Sequence, residues 1–354
     1  MIESLQINGK LIGPGSPVYI IAEMSANHNQ DFSRAVQIMK AAKAAGADAV
    51  KLQTYTPDTL TINCDNDLFR IKDTLWNGKL LYELYAEAST PWEWYPKLKE
   101  IARELEMDIF STAFDLTALR FLEEMEVPVH KISSFEIVDI PLIEEVASTG
   151  KPLIISTGMA TQEEIGDAVR TARASGARQI ALLKCTSAYP APPEEMHLRT
   201  IPDMAETFQA PVGLSDHTSG ISVPSAAVAL GACIIEKHFT LSREIPGPDS
   251  AFSLEPHEFR KMVDEVRTVE KALGSVRYGA KEQEQKSKVF RRSLFVIRNM
   301  EEGESFDRDN IRSIRPGFGL PPKHYKDILG KKAATFIPRG TPLEWKHIKQ
   351  DDAD

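Results

Sequence analysis

The chain of 354 residues carries 42 Lys and Arg against 51 Asp and Glu, a formal net charge of −9, with 42% apolar and 26% charged residues. These proportions are ordinary for a globular protein with a sizeable core and exclude a collagen-like chain, a disulfide miniprotein and a disordered acidic tail. The acidic balance argues against nucleic-acid or membrane partners but leaves room for a local basic pocket.

In chain order, short β-rich apolar runs alternate with helical-period segments. The expected strands are 18–23, 49–55, 108–114, 129–136, 152–158, 179–187, 211–217 and 233–239. A helix is expected over 31–45, with Asp31 as N-cap and Gly46 just past its end. Another is expected over 91–106, opened by Pro91, and a last one over about 256–274. Eight βα units in this length predict a closed (β/α)8 TIM barrel over 1–275, and no G-x-G-x-x-G follows the first strand to suggest an open dinucleotide-binding sheet. The stretch 56–90, with Trp76, Tyr82 and Tyr85, is long for a βα loop, and such loops at barrel mouths are often functional. Residues 276–290 read as a polar linker, 291–349 as a small β-rich module and 350–354 as a disordered tail. Cys64, Cys185 and Cys233 are too scattered for a disulfide framework, so a reducing cytoplasm is the expected compartment. The N-terminus MIESLQINGK lacks a signal-peptide pattern, and the most apolar stretch, 221–235, is too short to span a bilayer.

In such a barrel the reactive end lies where the strands finish. Polar residues recur there: Glu23; Lys51, Gln53 and Tyr55; Thr112; Lys131, Ser134 and Glu136; Ser156 and Thr157; Lys184, Ser187 and Tyr189; Ser215 and His217; His238. Any one of them reads as a solvated strand end or a satisfied hydrogen-bond partner. Recurrence in all eight units points instead to a site, because a Lys or His inside an apolar strand is costly without a partner or ligand. His217 and His238 end adjacent strands and suit one divalent ion with open positions for substrate. Lys51, Lys131 and Lys184 with the Ser hydroxyls make a donor-rich pocket for phosphate and carboxylate, although each Lys reads equally well as paired with a nearby Glu. Glu23 and Glu136 are candidates for proton work, and a Lys in an apolar barrel also suits a Schiff base.

With these residues in hand, the chain resembles the sialic-acid synthase family, which condenses phosphoenolpyruvate with an amino sugar. The matching strings are IAEMSANHN (21–29), VKLQTY (50–55), STAFD (111–115), KISSFE (131–136), STGMAT (156–161), CTSAYP (185–190), GLSDHT (213–218), EKHFT (236–240) and GPDS (247–250). RPGFGL (315–320) lies in the C-terminal module, which resembles the antifreeze-like SAF domain of these enzymes. The resemblance covers essentially the whole chain in order. It implies that His217 and His238 hold a divalent metal, Mn²⁺ foremost with Mg²⁺ or Co²⁺ as alternatives. It implies that Lys51, Lys131, Thr112, Ser134, Ser156 and Ser215 bind phosphoenolpyruvate. Glu23, Gln53, Tyr189 and Asp249 would surround the sugar and a metal-bound water, with Glu136 near the reacting carbons. Arg315 would reach the other subunit's site in a domain-swapped homodimer.

Two departures bear on the sugar. The N-acetylneuraminate branch has Asn where Ser187 and Phe318 stand here, and Gly where Ser25 stands. IAEMSANHN, the 74–94 segment, CTSAYP and RPGFGL together resemble the branch that makes pseudaminic acid from a 2,4-diacetamido-2,4,6-trideoxy-L-altrose. That sugar lacks a 6-hydroxyl, so losing an amide partner and gaining an aromatic contact fits it. N-acetylneuraminate or legionaminate synthesis on the same scaffold is the sibling alternative. A Schiff-base aldolase using Lys131 or Lys184, and a non-catalytic sugar- or ice-binding protein, are the more distant ones.

Overall fold

The computed structural model describes residues 3–72 and 74–350, so residues 351–354 of the expected disordered tail lie outside the described residues. The chain divides into two compact units, one ending at Gly274 and one beginning at Ser275.

The first unit opens with an antiparallel hairpin, β1 (Leu5–Ile7) and β2 (Lys10–Ile12), which the strand reading missed. Its turn is Asn8-Gly9, both at positive φ (45° and 81°), the dipeptide that two-residue hairpins favour. Eight parallel strands then close into a barrel: β3 (Tyr19–Glu23), β4 (Ala49–Thr54), β5 (Asp108–Ala113), β6 (His130–Ile132), β7 (Leu153–Ser156), β8 (Ile180–Cys185), β9 (Val212–Asp216) and β10 (Ile234–His238). Each pairs with its sequence neighbours, and β10 closes on β3. Nearly every residue of these strands is buried, as expected when helices cover the outside and side chains fill the inside.

The helices follow local chemistry. Asp31 accepts hydrogen bonds from the Ser33 and Arg34 backbone N–H groups (2.8 and 3.2 Å) and caps the helix Phe32–Ala44; Gly46, at φ +94°, lets the chain turn away. The helix expected over 91–106 is shorter. Pro91 precedes a 3₁₀ turn, Trp92–Trp94, and the α-helix runs from Tyr95 to Glu104. The last barrel helix is Pro256–Leu273.

The expected strand 129–136 is the main correction at the mouth. β6 stops at Ile132, and Ser134 and Glu136 stand on the loop beyond it, held by their own side chains. The Ser133 hydroxyl donates to Glu136, and the Gly158 N–H donates to the Ser134 hydroxyl at 3.0 Å. A Cβ on Gly158 would fall inside contact distance of both the Ser134 and Ser187 hydroxyls, so only glycine leaves them room.

The second unit has its own core, including Leu294, Val296, Met300, Phe306 and Ile311, around an antiparallel pair, β11 (Ser293–Val296) and β12 (Ile311–Ile314). Within this unit the segment 331–340 is not a continuous strand. It joins through single bridges such as Ser305 to Lys332 and Met300 to Ile337, because Pro338 and Gly340 interrupt the ladder. Among the described residues no helix is long and apolar enough to cross a membrane.

Candidate active site

Alternation along the strands decides which side chains meet at the mouth. On β10, Glu236 and His238 share one face. Lys237, between them, turns the other way and forms a fully buried ion pair with Asp216 of β9 at 2.5 Å. Lys51 and Gln53 share the equivalent face of β4, and register sets Glu23 of β3 between Lys51 and His238.

The resulting floor is dense and charged. The Lys51 ammonium lies 2.7 Å from Glu23 Oε2 and 3.7 Å from Glu236 Oε1, and donates to Thr112 Oγ1 at 3.1 Å. Gln53 Nε2 donates to Glu23 Oε1 at 3.0 Å, and the Ser215 hydroxyl donates to Glu236 Oε1 at 3.1 Å. For Lys51, then, pairing with a Glu holds. For Lys131 it does not: its ammonium donates to Ser156 Oγ at 2.7 Å and the Ile132 carbonyl at 3.0 Å, with no carboxylate in ion-pair range among the described residues, although only 1% of it is exposed. Burial, together with the Lys51 charge, lowers its pKa despite the pull of Glu236 and Glu23. Lys184 is only partly buried and donates to the Cys185 carbonyl at 2.8 Å.

The carboxyls divide in the same way. Burial raises Glu23, and the neighbouring Glu236 adds to this against the opposing Lys51. Burial also acts against charge on Glu236, but Lys131 and Lys51 outweigh it and hold its carboxyl low. Asp249 is pushed up to about 6 by burial and takes hydrogen bonds from the Ser25 hydroxyl and, at 3.3 Å, the Ala26 N–H. Glu136 is raised by burial.

The two histidines stand with ring centroids 5.3 Å apart. His217 Nδ1 lies 2.9 Å from the Thr186 carbonyl; burial acts against charge on this ring, but Cys185 and that carbonyl outweigh it and raise its pKa, and in the neutral ring the proton sits on Nδ1 and leaves Nε2 as the electron-pair donor. His238 Nδ1 is buried with no partner among the described residues, and burial holds its imidazole well below the ordinary value, neutral and ready to ligate. Among the described residues no three His, Cys, Asp or Glu side chains gather around one point, so a divalent ion on this pair would complete its shell with substrate or water.

Above the floor opens a cavity of ≈340 Å³ lined on one side by Gln53, Glu136, His238 and Asp249 and on the other by the 56–90 insertion. Tyr189 stacks on His217 (4.3 Å between centroids) and packs against Phe252 (5.1 Å), while Ser187 sits 3.9 Å from Cys185 Sγ. Arg315 and Phe318 belong to the second unit, where both are exposed in the turn after β12. Glu236 and Cys185 were not among the expected site residues. Glu236 was detectable, since it stands two positions before His238 in an apolar strand and must share its face.

A closed parallel barrel with a donor-rich, half-neutralised floor beneath a sugar-sized cavity defines a barrel enzyme for an anionic substrate, and comparison with known proteins agrees. The NeuB family model matches residues 38–278 and the SAF domain model residues 291–349, and the chain belongs to the NeuB family. It is 47% identical to the pseudaminic acid synthase of Helicobacter pylori over 336 residues, 94% of this chain and 98% of that protein. It is 37% identical to the N,N'-diacetyllegionaminic acid synthase of Legionella pneumophila over 350 residues, 97% and 98% of the two chains. The crystal structure of the spore coat polysaccharide biosynthesis protein SpsE of Bacillus subtilis, 35% identical, superposes with a TM-score of 0.67 over 99% of this chain and 100% of that one.

Proposed function

We propose that this chain condenses phosphoenolpyruvate with 2,4-diacetamido-2,4,6-trideoxy-β-L-altropyranose and water, giving pseudaminic acid and phosphate. The observation that carries the reading is Lys131, a buried cation whose partners are a hydroxyl and a carbonyl and whose missing counter-charge an anionic substrate supplies. The greater identity to a pseudaminic acid synthase than to a legionaminic acid synthase supports the choice of sugar.

Lys51 and Lys131, with the hydroxyls of Thr112, Ser134, Ser156 and Ser215, surround the phosphate and carboxylate of phosphoenolpyruvate and stabilise its charge through the reaction. They hold its C3 toward the aldehyde carbon of the open-chain sugar, so that the new C–C bond leaves cationic character at C2. Glu23, poised by burial and oriented by Gln53, accepts the proton of the water that adds at C2. Collapse of that adduct to the C2 ketone breaks the C–O bond, and phosphate leaves with the electron pair and the hydroxyl proton; the proton held by Glu23 passes to the oxygen of the former aldehyde. Tyr189 and Asp249 flank the sugar, with Glu136 near the reacting carbons. His217 and His238 would hold the divalent ion, Mn²⁺ foremost, and when bound it supplies Lewis acidity toward the aldehyde oxygen.

The active form in this reading is a cytoplasmic homodimer in which 276–290 is a linker and each second unit lends Arg315 and Phe318 to its partner's mouth. Two features support it. Residues 275–354 carry 17 Lys and Arg against 12 Asp and Glu in an otherwise acidic chain. Exposed Phe135, Val138 and Met159 stand on the barrel loops after β6 and β7.

The test is mass spectrometry of the products from phosphoenolpyruvate and the diacetamido sugar, after chelation and after Mn²⁺ is restored. Expected are pseudaminic acid, phosphate that keeps an isotope placed in the bridging oxygen, and loss of both products on chelation. Turnover of N-acetylmannosamine or the legionaminic precursor alone would refute the sugar, and full activity in chelator would refute the metal.

A further inference from the structure

The insertion between β4 and β5 is a built element. Its backbone closes on itself: the Ile71 N–H donates to the Lys79 carbonyl at 2.9 Å, Gly78 N–H to the Ile71 carbonyl at 2.8 Å and Leu81 N–H to the Phe69 carbonyl at 2.9 Å. The Trp76 indole N–H donates to the Pro248 carbonyl at 2.9 Å and so ties the insertion to the segment carrying Asp249. Leu60, Ile71 and Leu81 thereby line the same cavity as Glu136, His238 and Asp249.

The cavity therefore has two chemically unlike walls. The barrel wall carries every charged group and the histidine. Among the described lining residues the insertion wall carries no charge; its indole N–H is already committed to Pro248, and its hydroxyls belong to Thr74 and Tyr85. A sugar whose aldehyde meets the barrel wall turns its far end toward the insertion.

Resting on the reaction proposed above, we infer that the insertion wall centred on Ile71 and Leu81 is a specificity element that accepts the C6 methyl of a deoxy amino sugar and rejects a hydroxymethyl in its place. A hydroxyl brought against aliphatic side chains loses its water without gaining a partner, which costs about 1–3 kcal/mol. An apolar pocket discriminates by about 10–100-fold on that basis. Ile71 is only half-buried, so exchanging it leaves the barrel core untouched.

The test uses the full-length, Mn²⁺-loaded protein with two sugars, the 2,4-diacetamido-2,4,6-trideoxy compound and its 6-hydroxy counterpart. Wild type is expected to favour the deoxy sugar in kcat/KM. Ile71→Asn and Leu81→Asn should each cut that ratio about tenfold, through the KM of the sugar and with the KM of phosphoenolpyruvate unchanged, while Ile71→Val should keep it. Equal losses on both sugars, or an unchanged ratio in both Asn variants with wild-type melting temperatures, would overturn the inference. If wild type turns over neither sugar, the proposed reaction fails instead. The same ratio is then measured on the amino sugar it does use and that sugar's 6-deoxy form.

Discussion

The two ends of the barrel bury charge in opposite ways. At the end where the strands begin, Asp108 takes hydrogen bonds from Asn8 Nδ2 (2.8 Å), the Lys10 ammonium (2.9 Å) and the Tyr19 hydroxyl (2.7 Å). Nearby, Arg267 bridges Glu270 (3.0 Å) and Asp48 (3.4 Å) and also donates to the Val18 carbonyl (2.9 Å). Those groups answer one another. At the opposite end Lys131 has no carboxylate, and Glu236 Oε2 and His238 Nδ1 have no hydrogen-bond partner among the described residues. His130 Nδ1, at the start of β6, also lacks a partner among the described residues, but only at the mouth do an unanswered cation, carboxylate and imidazole gather, as a site awaiting a charged ligand requires.

The largest expected effect breaks the open end. Lys131→Met should lower kcat/KM for phosphoenolpyruvate about 10³-fold while the melting temperature holds or rises, because a buried unpaired cation is removed. Phosphate-release kinetics beside thermal melts check it. Asp108→Ala should do the reverse, costing about 2 kcal/mol of stability, discounted for the part-exposed Lys10, with kcat/KM within twofold of wild type. Denaturant titration and the same assay decide.

The third prediction sharpens the contrast within the mouth, using a buried histidine that is fully satisfied. His28 Nδ1 accepts from the Gln30 N–H (3.1 Å) and Nε2 meets the Thr90 hydroxyl (3.1 Å), and burial, aided by Arg34, pushes its pKa down to about 4. The unfolded chain therefore binds a proton first as pH falls below about 6.5. Stability is full above that pH and declines toward pH 4 by up to about 3 kcal/mol from this group. His28→Gln should flatten that acid limb in pH-dependent melts; an unchanged limb would mean that another group titrates there. The smallest expected effect concerns the sugar. Ser187→Asn should raise kcat/KM for N-acetylmannosamine relative to the diacetamido sugar by roughly tenfold, worth about 1.4 kcal/mol, measured by competition between the two substrates.

Much of this was legible in the chain. Eight βα units predicted the closed barrel, and polar residues interrupting apolar strands such as Lys51, Lys131 and His238 pointed to its mouth. Other features were written there and overlooked: Asn8-Gly9 between two short apolar runs is a hairpin signal, and Glu236 shares the parity of His238. KISSFE reads as β-rich, yet Ser134 accepts from the Gly158 N–H and Glu136 from the Ser133 hydroxyl, and these bonds hold both residues in a loop.

By itself the sequence determined that polar strand-end side chains gather at one mouth, because strand alternation and the order of βα units follow from local pattern. Only the tertiary structure decided which of them neutralise one another. Lys51 and Lys131 look alike in the chain, but β3 and β10 bring Glu23 and Glu236 within 2.7 and 3.7 Å of the first, and among the described residues no carboxylate comes into ion-pair range of the second. Charge pairing depends on distances across strands far apart in sequence, and those distances exist only once the barrel has closed.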